Sequence, residues 1–278
     1  MITEDLRNLL AAGVEHANEY IPKGLDLIHN PERRTRIGGV LSSLSYRHIG
    51  LGMHGYFVDG NIQSLKQHLS LASMLAVAST RESGGQDMSG WSLLMYAMLS
   101  DNSVVIDTVS HLEPEELVKN RDNPRLPQFD VHMLQLTLRD EHDALRAKIE
   151  RGAKGAGKRF RAEFREGEDF FSLLLARNQP ALEAQLHREA SRWQAMRKKG
   201  TMTGFPLLED LFAPTAVLYA KLCWLKGIPV QIDHPFVPKD WLPVAPLPIY
   251  ENPYDYLKPD WVPPRRGLVG KISRWFAR

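Results

Sequence analysis

The chain has 278 residues, 43% of them hydrophobic and 24% charged, with Lys+Arg 35 against Asp+Glu 33. That near-neutral balance excludes an acidic nucleic-acid mimic and a basic nucleic-acid coat, so no nucleic-acid partner is expected. The single cysteine, Cys223, excludes an internal disulfide framework. Set between apolar neighbours, it reads as a small buried hydrophobe.

The first residues, MITEDLRNLLAAGVEHANEYI, carry acidic side chains ahead of a short apolar run. A signal peptide would start basic and continue apolar for longer. No stretch reaches the roughly 18 apolar residues of a membrane span. A cytoplasmic protein without a membrane span is the expectation.

Helical spacing then dominates up to Gly227. Leu6, Leu9, Leu10 and Val14 fit a 3.6 period, as do Leu65, Leu69, Ala72 and Leu75. Breakers separate such runs: Pro22, Pro31, Gly84-Gly85, Pro114, Pro124, Pro127, the glycines of 152–157, Pro180, and those of 200–204. Pro180 is compatible with a first helical turn. Strand signals are scarce, and 228–232 is the one short extended candidate.

Four segments share a plan of helix, tight polar turn and second helix. The turns are Asp59-Gly60-Asn61, Ser100-Asp101-Asn102, Arg139-Asp140-Glu141 and Arg177-Asn178-Gln179. Val58, Leu99, Leu138 and Leu175 precede them, and Leu65, Ile106, Leu145 and Leu182 follow. The units recur at roughly 37–41 residues, the range of helical-hairpin repeats. A lone hairpin cannot bury its apolar face, so hairpins stack. The expected fold is all-α: either a solenoid-like array of hairpin repeats or an irregular helical bundle.

After Gly227 the composition changes. Ten of the 18 prolines lie between Pro229 and Pro264, together with Trp241, Tyr250, Tyr254, Tyr256 and Trp261. Such proline density excludes a long helix. The division expected is a helical domain at 1–227 and an extended, proline- and aromatic-rich wrap at 228–278.

Catalytic and metal motifs are weak. Residues 152–158 fit GxxxxGK, yet Arg159 replaces the magnesium-binding Ser or Thr, and a helix rather than a strand precedes. His48 and His54 lie six apart and face different ways on a helix. Glu183 and His187 have i,i+4 spacing without a third ligand, as in a surface pair. No HExxH, ExxH-pair, CxxC or GxSxG motif occurs. A pocket assembled from distant residues would draw on His48, His54 and His132. No cofactor, metal or catalytic residue is expected, and the chain is not read as an enzyme. Two regions suit partner contact: the basic stretch with Arg159, Arg161 and Arg165, and the aromatics Tyr254, Tyr256 and Trp261.

The run DLFAPTAVLYAKLCWLKGIPVQIDHPFVPKDWL resembles the C-terminal part of the immunity protein 49 family of bacterial polymorphic-toxin systems. The likeness lies in Gly227-Ile228-Pro229-Val230, Asp233, and Pro238-Lys239-Asp240-Trp241-Leu242. It covers about 35 residues closely and extends loosely through turns such as Ser100-Asp101-Asn102. The resemblance implies an antitoxin-like protein that binds a cognate secreted toxin and blocks it sterically. It transfers no functional residue. A helical-repeat scaffold unrelated to toxins and a helical enzyme are the alternative readings.

Overall fold

The computed structural model describes residues 2–30, 37–83, 90–155, 167–199, 210–258 and 261. Among these it is a helical bundle of eleven α-helices without strands. They are α1 Glu4–His29, α2 Ile37–Phe57, α3 Ile62–Ser83, α4 Gly90–Ser100, α5 Ser103–Ser110, α6 Glu115–Asn120, α7 Pro127–Leu138, α8 His142–Gly155, α9 Phe170–Leu175, α10 Gln179–Lys198 and α11 Pro214–Leu225. Two 3-10 turns, Lys239–Trp241 and Asp255–Leu257, follow.

Sequential neighbours pack together along most of the chain, as stacked hairpins require. The stack also closes on itself, because α11 packs back against α4. The reason is visible in α4, GWSLLMYAMLS, which is apolar on every side and buried from Ser92 to Ser100. Such a helix must be covered all round, and α3, α5, α7 and α11 cover it.

The four polar turns share one backbone device. Gly60, Asp101, Asp140 and Arg177 all have positive φ, at 66°, 57°, 58° and 51°. Each directly precedes the residue at which the next helix is capped or begun. Asn102 and Asn178 accept from the first N–H groups of α5 and α10, and Asn61 accepts from Ser64 N–H in α3. After α7 and α9 the chain closes in Schellman fashion: Glu141 N–H donates to Leu136 O and Asn178 N–H to Leu173 O.

Pro22 departs from the sequence reading. It does not end a helix: α1 runs through it from Glu4 to His29. Proline inside a helix costs about 3 kcal/mol or more. Here Leu6, Leu10, Ala17, Gly24 and Ile28 bury one continuous face, on either side of the proline, and α1 packs on α2. That packing outweighs the lost hydrogen bond. The contact of α2 with α3 is close as well: a Cβ on Gly55 would stand 2.4 Å from Ser64 Oγ.

Residues 228–258 contain no α-helix and lie along the helical body. Trp241 is 1% exposed. Its ring meets those of Tyr56, Phe57 and Phe212 edge-on, with centroids 5.1, 5.7 and 5.1 Å away.

Candidate functional site

Three of the left-handed turn residues converge on α11 and the chain just beyond it. Asp140 Oδ1 lies 2.7 Å from Lys226 Nζ. Arg177 donates to the Gly227 carbonyl at 2.8 Å. Asp101 goes deepest, with both carboxylate oxygens paired: Oδ1 with Lys221 Nζ at 2.6 Å and Oδ2 with Lys66 Nζ at 2.9 Å. Asp101, Lys221 and Lys66 are all buried.

The excess positive charge is met by backbone. Lys221 Nζ donates to the carbonyls of Trp241, Leu242 and Pro243, and Lys66 Nζ to that of Ala245. Burial lowers the Lys221 pKa, Asp101 opposes that shift, and Lys66 adds to it. The cluster thereby fixes the start of the proline-rich strap. Further along, Tyr250 Oη donates to Ser100 O at 2.5 Å, and Gln67 exchanges two hydrogen bonds with the Glu251 backbone.

A second latch holds the strap to α2 and α3. His48 Nε2 meets the Tyr254 hydroxyl, and His48 Nδ1 lies 2.9 Å from His68 Nδ1. One imidazole donates and the other accepts, so the contact cannot hold two imidazolium ions. Burial, then His68, lowers the His48 pKa to about 3, and burial lowers that of His68 too. Burial pushes Tyr254 up to about 12.

The unfolded chain takes up protons on both histidines near pH 6.5, while the folded chain protonates His48 only near pH 3 and His68 below its ordinary value. The contribution of His48 is therefore fully present above pH 6.5 and is lost as pH falls toward 3, and that of His68 is lost in the same direction. From pH 6.5 to 5, His48 alone accounts for about 2 kcal/mol. Urea unfolding at pH 7 and 5 should show a His48→Gln variant losing less stability over that interval than the wild type. Equal losses would contradict this role for His48.

Between strap and helices lies a groove of about 820 Å³. Met74, Val77 and Ala78 of α3 form part of its lining, with Val104 and Val105 of α5. The strap contributes Tyr250, Tyr256, Leu257 and Trp261. The charged lining residues are Arg81, Glu82, Glu251 and Lys258, all exposed.

The sequence-level candidates separate. Tyr256 and Trp261 line the groove. Tyr254 points inward, 3% exposed, with its hydroxyl taken by His48. Arg159, Arg161 and Arg165 lie outside the described residues. Upstream of them, cations of the basic stretch meet carboxylates: Arg146 with Asp143 at 2.9 Å and Arg151 with Asp122 at 2.6 Å. Lys148 is buried over the Phe129 ring, its pKa lowered to about 8 chiefly by burial.

His48, His54 and His132 do not form one pocket. His48 meets His68 and Tyr254, and His54 lies 3.2 Å from Asp59. His132 is held at a pKa of about 4, chiefly by burial and then by Lys148. Glu183 accepts from the Gln231 N–H at 2.8 Å. Lys66 and Lys221 escaped the sequence reading, which placed Asp101 in a turn and not in an ion cluster. Their one signal was a lysine at 221 inside the apolar run AVLYAKLCWL.

The family model for immunity protein 49 matches residues 59–241, from the first polar turn to the strap's buried tryptophan. The chain belongs to the immunity protein 49 family. It matches no curated protein and no solved structure. No helix among the described residues is long and apolar enough to cross a membrane.

Proposed function

We propose that this chain is an immunity protein that binds a cognate secreted bacterial toxin in the cytoplasm and neutralises it by covering its active site or substrate path. The observation that carries the reading is the family match over residues 59–241. Helices locked by buried ion pairs favour it, because a rigid surface loses little freedom on binding. Tight inhibition needs roughly 1,200–2,000 Å² of total buried area, which a bundle of this size can supply. The action requires no catalysis and no cofactor.

Co-expression tests it. The toxin encoded beside this protein is induced in a sensitive bacterium with and without the chain. Protection together with co-purification of the two proteins is the expected result. Toxicity that persists in the presence of the folded chain would overturn the reading. Protection without a complex would point instead to repair of the toxin's damage.

A further inference from the structure

We infer that the groove between α3, α5 and the C-terminal strap is the docking site for an apolar, near-neutral segment of the cognate toxin. The inference rests on the immunity reading and adds the surface through which it operates.

The groove is apolar where it is deep. Two of its polar groups are already engaged: Asn102 Nδ2 donates to Ser70 Oγ at 2.9 Å, and Thr108 Oγ1 donates to Val104 O at 2.8 Å, while the Tyr256 hydroxyl is buried without a hydrogen-bond partner among the described residues. A small-molecule site holds a few convergent polar groups that orient its ligand. Here Asn102 ties α5 to α3, Thr108 closes on its own helix, and the Tyr256 hydroxyl alone does not make a convergent set. Apolar side chains of a protein partner need no such groups.

The apolar surface also continues outward. Val104 is 73% exposed, and Ile249, next to Tyr250 on the strap, is 75% exposed. Val104 sits on the groove's lining and Ile249 beyond it, so a ligand confined to the groove would leave Ile249 in water. A protein segment seated in it would cover both, and exposed apolar surface of this kind marks interaction sites.

The charges define the partner further. Arg81 and Glu82 end the α3 side, and Glu251 and Lys258 lie on the strap. Each side offers one cation and one anion, and none of the four forms an ion pair among the described residues. A strongly acidic or basic segment would meet repulsion from half of them. An apolar stretch that is neutral, or that carries one charge of each sign, meets none. The strap wall is held by Tyr250, Gln67 and the His48–Tyr254 latch, so the groove exists before the partner arrives.

The test measures binding of the purified toxin to the wild type, to Val104→Glu/Ile249→Glu, and to Val118→Glu. Val118 is a 44% exposed apolar residue on α6, away from the groove lining. The double variant should weaken binding by about 100-fold or more, and Val118→Glu by less than about twofold. Thermal unfolding checks that the double variant is folded. Hydrogen exchange on the wild-type complex gives an answer independent of folding: protection should appear at 74–82, 102–108 and 249–258. Wild-type affinity in the folded double variant, or protection confined to other segments, would overturn the docking site while leaving the immunity reading standing. A toxin-free dimer that the double variant dissociates would assign the groove to a second copy and overturn it equally. A wild-type chain that neither binds nor protects would remove the docking site together with the reading beneath it.

Discussion

Asp101→Ala should lower the unfolding free energy by about 3–5 kcal/mol, the usual cost of removing one partner from a buried ion pair. Two ammonium groups would then face each other in the interior with only carbonyls to meet them. The left-handed backbone at 101 gives Ala no relief, since a non-glycine residue there costs roughly 1–2 kcal/mol and Asp tolerates it better than Ala. Asp101→Gly relieves that strain and still removes the charge. It should therefore be destabilised too, but less than Asp101→Ala. Urea unfolding followed by circular dichroism measures both. If glycine at 101 matched or exceeded the wild type, turn geometry would outweigh the ion cluster at this position.

The pH dependence of this variant is informative. Without Asp101, nothing opposes the lowering of the Lys221 pKa by burial and by Lys66. A lysine whose folded pKa is depressed binds fewer protons folded than unfolded, so stability rises with pH. The deficit of Asp101→Ala should thus shrink as pH climbs toward that of free lysine. A deficit independent of pH would argue that the lysines find other anions.

Trp241→Ala should cost about 3–5 kcal/mol, because a large buried ring leaves a cavity that its neighbours only partly fill. The neighbours are Tyr56 and Phe57 at the end of α2 and Phe212 just before α11. The Trp241 carbonyl also receives Lys221 Nζ. Loss of the ring should therefore loosen the strap before the helices melt. Limited proteolysis should cut the variant within 242–250 faster than the wild type. Trp241→Phe, which retains an aromatic face, should lose less. Unchanged stability and unchanged cleavage in Trp241→Ala would mean that the strap is held without its anchor.

The helices were legible because their apolar periods and turn residues agree. Asp59-Gly60-Asn61 and Ser100-Asp101-Asn102 advertise a left-handed residue followed by a cap. Arg177 does not, because arginine carries no preference for the left-handed conformation that the helix closure imposes on it; its side chain reaches on to the Lys226 and Gly227 carbonyls. Pro22 misled for a related reason: local chemistry ends a helix there, and tertiary packing carries it through. The closure of α11 onto α4 was open between array and bundle, since a repeat spacing describes neighbours and says nothing of return contacts.

The site was less legible. Lys66, Asp101 and Lys221 are distant in sequence, and each is ordinary alone. His48 meets His68 only through the register of α2 against α3, so spacing along one helix could not reveal it. The strap aromatics stood out as a group, but sequence could not separate Tyr254, turned inward, from Tyr256 and Trp261 on the groove. That division depends on where the 3-10 turn at Asp255–Leu257 rotates the chain.

The most direct measurement is a titration of the purified toxin's activity with this protein. Steric neutralisation predicts inhibition that rises linearly and is complete at a fixed stoichiometric equivalence, with both proteins recovered intact from the complex. Full inhibition at a small fraction of an equivalent, growing with time, would show turnover and contradict the account.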